Sequence, residues 1–71
     1  MTVLIFNTKE HTLQIDSDYP HVKGTYTEVM TIQLSQQHYH FYEVFQEDIT
    51  GKKVPIFRFP ISDTIIKYIH S

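Results

Sequence analysis

The sequence has no cysteine and only two glycines, and positive charge is not in excess. Without cysteine there can be no disulfide staple, no thiolate metal ligand and no thiol nucleophile. That composition is compatible with a reducing compartment, and the expected location is cytoplasmic. Gly24 and Gly51 are too far apart to form a glycine-rich phosphate cradle. The serines, Ser17, Ser35, Ser62 and Ser71, lie outside any nucleophile-elbow sequence. The apolar run from Val3 to Phe6 is too short for a membrane span or a signal peptide. Six bases against eight acids give a net charge of −2, so the basic stripe of a nucleic-acid coat is missing. Five histidines qualify that balance, because protonating all of them would move the charge from −2 to +3. The chain reads as not an enzyme, with no cofactor and no metal.

What is present is a single small β-rich domain, residues 1–71. A chain of this length buries only about 60% of its unfolded surface, so a second subunit is an expected source of stability. Residues 3–7 and 12–16 read as two strands joined by a hairpin loop at Thr8–His11. Residues 16–24 collect turn formers. Thr25 to Leu34 alternates as one strand, with Tyr26, Met30, Ile32 and Leu34 on one face and Glu28 as the exception.

Residues 38–60 hold six of the ten aromatic residues and read as a β-hairpin. Its turn, Asp48-Ile49-Thr50-Gly51-Lys52, suits a three-residue loop with Gly51 in the left-handed region. Pairing outward from that turn sets Phe45 opposite Pro55, Val44 opposite Ile56, Glu43 opposite Phe57, Tyr42 opposite Arg58 and Phe41 opposite Phe59. Pro55 cannot donate to a ladder and marks an edge or a bulge. Residues 62–70 carry isoleucines at four-residue spacing behind Ser62, a plausible N-cap, and read as a C-terminal helix. The expected fold is therefore α+β: an antiparallel, meander-like sheet of about five strands with one helix packed on one face.

Burial energetics favour the Phe face of the hairpin as core, since each buried aromatic contributes roughly 1.5–3 kcal/mol. Tyr39, Phe41, Phe45, Phe57 and Phe59 would then point inward. His38, His40, Tyr42 and Arg58 would face solvent beside Val44, Val54 and Ile56, with Lys52 and Lys53 at the hairpin tip. Apolar patches rimmed by titratable groups mark interaction sites. His38 and His40, two apart on a strand, would point the same way, yet no third ligand is evident.

The favoured function is a small non-enzymatic interaction or regulatory protein. It would bind a protein partner through a sheet face or edge and form a homodimer. The alternative is a single-stranded nucleic-acid module, with His40 and Tyr42 stacking on bases and Arg58, Lys52 and Lys53 contacting phosphates.

Overall fold

The computed structural model describes residues 1–70 and is almost entirely β. Seven strands form: β1 (Thr2–Asn7), β2 (Thr12–Ser17), β3 (Gly24–Tyr26), β4 (Met30–Leu34), β5 (Phe41–Glu47), β6 (Lys53–Pro60) and β7 (Thr64–Ile69). They make two sheets, one ordered β3-β2-β1-β7 and the other β4-β5-β6. Every neighbouring pair is antiparallel except β1 and β7, which run parallel.

The expected C-terminal helix is not there. A single 3-10 turn, Ile61–Asp63, follows β6, and the chain then extends as β7. Ser62 gives no side-chain cap. Two turns of isolated helix are marginal, and a segment of isoleucine, threonine and tyrosine prefers a pleated surface. In β7, Thr64, Ile66 and Tyr68 share one face and Ile65, Lys67 and Ile69 the other. The four-residue isoleucine spacing is compatible with this alternation as well. Thr8 secures the far end of β7, its N–H donating to the Ile69 carbonyl at 3.0 Å.

The single strand expected over residues 25–34 is broken in two. Glu28, which interrupts the alternation, has a φ of 72°. There the chain leaves one sheet for the other. The loop at residues 8–11 forms as expected, with the Asn7 Oδ1 accepting from the N–H groups of Lys9 and Glu10.

The core lies between the two sheets. Leu4, Leu13 and Ile15 come from the larger sheet, and Met30, Val44 and Phe59 from the smaller; Val22 closes it from the loop before β3. Phe57, Tyr26, Phe6, Ile32 and Ile66 pack around this cluster. Thr2 and Ser17 are buried polar residues at its end, and their hydroxyls hydrogen-bond each other at 2.9 Å. None of the described residues belongs to a helix long and apolar enough to cross a membrane.

Candidate functional site

The β5–β6 hairpin contains a bulge that decides which side chains face outward. From the turn, Glu47 pairs with Lys53, Gln46 with Val54 and Phe45 with Pro55, as the turn chemistry requires. The register then shifts between Val44 and Phe45. Val44 pairs with Phe57, Glu43 with Arg58, Tyr42 with Phe59 and Phe41 with Pro60. Ile56 is the extra residue, immediately after the proline that cannot serve the ladder.

The turn is held by Asp48. Its Oδ1 accepts from the Thr50 N–H at 2.8 Å, the Thr50 hydroxyl at 2.6 Å and the Lys52 N–H at 3.0 Å. These bonds, led by the Thr50 hydroxyl, hold the Asp48 carboxyl below its ordinary value of 3.8. Gly51 adopts a φ of 83°, in the left-handed region expected for it.

One extra residue on β6 lets the two strands contribute opposite halves of their sequence patterns to the core. On β6, Phe57 and Phe59 point inward, as expected. On β5 the expected facing is inverted. Val44 is fully buried and Tyr42 partly buried on the inner face, whereas Phe41 and Phe45, also partly buried, lie on the outer face. Tyr39 sits in the turn before β5 and is 71% exposed.

Of the expected site residues, the outer face of the three-stranded sheet gathers only His38 and Arg58. The Arg58 guanidinium carbon lies 4.6 Å from the centre of the Phe41 ring, within cation–π range. The His38 ring meets Phe41 edge-on, with centroids 6.4 Å apart. Phe45 continues this surface four residues along β5, between Thr31 of β4 and Pro55 of β6. Glu43 stands between the two phenylalanines and opposite Arg58, without an ion pair among the described residues.

The other expected residues lie elsewhere. Tyr42 faces inward. His40 is exposed in the turn, where its carbonyl accepts the Ile61 N–H. Lys52 and Lys53 are exposed at the hairpin tip. Because His38 and His40 precede β5 rather than lying within it, the alternation that would aim both imidazoles one way does not apply. No group of three or more histidines, aspartates or glutamates suited to a metal ion occurs among the described residues.

Phe41 and Phe45 were missed as surface residues because hydrophobicity alone assigns them to the core. The usable signal was Pro55, whose place in an otherwise regular strand announces the bulge. Beneath the same face, the Thr31 Oγ1 is buried without a hydrogen-bond partner.

No family model, no curated protein and no solved structure matches this chain.

Proposed function

We propose that this protein is a non-enzymatic interaction module that engages a protein partner through the outer face of its three-stranded sheet. One observation carries the reading: Phe41 and Phe45 are held on the side of β5 away from the core, in a domain whose fully packed apolar core is small. Two phenylalanines left partly in water forgo some of the stabilisation that burial against a partner restores. Arg58 laid over Phe41 and the intervening Glu43 supply polar complementarity around that apolar centre. A cytoplasmic setting belongs to the same proposal and fits a chain with no thiol to oxidise.

Affinity capture from the native host tests this, comparing the wild-type chain with Phe41→Ser/Phe45→Thr and with an Ile49→Ser control at the exposed hairpin tip. A partner retained by the control and lost from the double variant supports the reading. A partner retained equally by all three removes it.

Homodimerisation fits the edge of β7. The Thr8-to-Ile69 bond sets the parity of the β1–β7 ladder, so the N–H and C=O groups of Ile66 and Tyr68 and the Thr64 carbonyl point to the open side, the Thr64 N–H donating instead to the Ile61 carbonyl. An antiparallel copy with Ile66 opposite its own counterpart satisfies those groups reciprocally and sets Lys67 opposite Ile65 rather than opposite another lysine. Light scattering that finds only monomer at high concentration eliminates this arrangement.

Single-strand nucleic-acid binding is the second reading, favoured by the stacked Arg58–Phe41 pair beside Phe45. Glu43 and Glu47 on the same side of β5 weigh against it. Absence of binding to a fluorescent oligonucleotide at low salt rejects it.

A further inference from the structure

The second open edge of the fold borders a groove. β4 pairs only with β5, and the two strands meet in a ladder whose bonded pairs are fixed at its ends. The Glu47 N–H donates to the Val29 carbonyl, and the Ser35 N–H donates to the Phe41 carbonyl. Bonded pairs alternate in an antiparallel ladder, so Thr31 and Gln33 also turn their backbone groups toward β5. Met30, Ile32 and Leu34 therefore turn theirs to the free side.

A groove of about 340 Å³ runs along that side. Val29, Met30, Thr31 and Ile32 line it consecutively, although successive side chains of a strand point to opposite faces. Four consecutive residues border one hollow only if it follows the strand's edge. The opposite wall is made by the rings of Phe6 and Tyr68, packed edge-to-face with centroids 6.1 Å apart. Among the described residues no carboxylate, ammonium or guanidinium lines the groove; Thr8 and the His11 imidazole complete its lining.

The edges differ in how they are protected. β3 is three residues long, and β6 carries Pro55 and the bulge. Both devices discourage strand addition. β4 has neither.

We propose that the β4 edge accepts an extended, uncharged segment of a partner protein as an added strand. Its backbone would pair with Met30 and Ile32, and its inward side chains would be apolar and pack on Phe6 and Tyr68. The unpaired backbone groups specify an extended peptide, because only another backbone offers donors and acceptors at that repeat. The neutral aromatic wall specifies the side chains. This edge adjoins the Phe41–Phe45 face at Thr31 but binds through the free backbone groups of Met30 and Ile32, so either reading can fail without the other.

The probe is a capped hexapeptide of alternating threonine and valine, titrated into the full chain and followed by amide resonances. The expected result is a saturable shift at the Met30 and Ile32 amides, with their hydrogen exchange slowed about tenfold or more. An analogue N-methylated on the residues facing β4 should bind at least about tenfold more weakly. Tyr68→Glu, at a residue 55% exposed, should weaken the unmodified peptide similarly. Ile32→Pro removes an edge N–H that the β4–β5 ladder does not use, and should also abolish binding. Equal binding of the N-methylated analogue overturns the proposal, as does no binding at millimolar peptide. Shifts confined to Phe41 and Phe45 overturn it and leave the face reading standing. Met30 and Ile32 amides already protected in a dimer of the free chain overturn it in favour of a second copy.

Discussion

Val44 pairs with Phe57 and not with Ile56, and this one-residue offset sorts the hairpin's aromatics into two groups. Below the bulge, Phe45 and Pro55 share the outer face. Above it, Val44 and Phe57 share the inner face. A regular ladder would have placed Phe57 and Phe59 on the same side as Phe41 and Phe45, leaving the core between the sheets without its largest rings.

The offset implies unequal costs for chemically similar substitutions. Phe59→Ala should destabilise the fold by about 3–5 kcal/mol, the range for large buried aromatics. Phe45→Thr, on the outer face, should cost no more than about 1 kcal/mol. Urea unfolding of both variants checks the contrast, and similar midpoints would contradict the assigned faces.

Thr31 gives an expected gain. Its Oγ1 is buried and unpartnered, and an unsatisfied buried hydroxyl carries a penalty of about 1–3 kcal/mol. Thr31→Val keeps the β-branched shape and removes the polar atom. Stability should rise by about 1 kcal/mol, and an unchanged or lower urea midpoint would show that the hydroxyl is satisfied in solution.

Hydrogen exchange should read out both free edges. In β7, the amides of Ile65, Lys67 and Ile69 face β1 and should exchange slowly, whereas those of Ile66 and Tyr68 should exchange fast. In β4, Thr31 and Gln33 should be protected and Met30 and Ile32 not. Protection uniform along either strand would mean that its edge is covered.

The hairpin turn should be acid-sensitive. The Asp48 carboxyl is held below 3.8 by its bonds to Thr50 and Lys52, so the folded state favours its charged form. That contribution is complete above the unfolded-state value and is lost as pH falls through the lowered folded-state value. The gap in urea midpoint between wild type and Asp48→Ala should therefore be constant near neutrality and shrink in strong acid. A gap that widens in acid would contradict the sign.

Local chemistry was the legible part of this chain. Asp48 with Gly51 specified the turn and the first three hairpin pairs, and Thr8 to His11 read correctly as a loop. Glu28 marked a fault in the alternation, although its meaning as a strand break was not evident. The facing of β5 was not legible, because it depends on one inserted residue and the parity reverses beyond it. The C-terminal strand was misread because its periodicity is ambiguous over six residues and its partner, β1, is distant in sequence. The site was only partly legible: His38 and Arg58 were anticipated, while Phe41 and Phe45 were assigned to the core.

Parallel pairing of β1 with β7 has a kinetic consequence. The Thr8 hydroxyl and the Ile69 carbonyl, which hydrogen-bond at the end of that ladder, are 61 positions apart. During synthesis β1 is made before β7, and the 61 positions between Thr8 and Ile69 must be added before its second neighbour exists. Until then its open side is a bare edge, and the intervening hairpin sheet must already have turned the chain back for β7 to arrive in parallel. Such long-range closure slows folding and lengthens the exposure of an apolar strand. Until β7 docks, that edge of β1 is open to capture by a chaperone or by another copy.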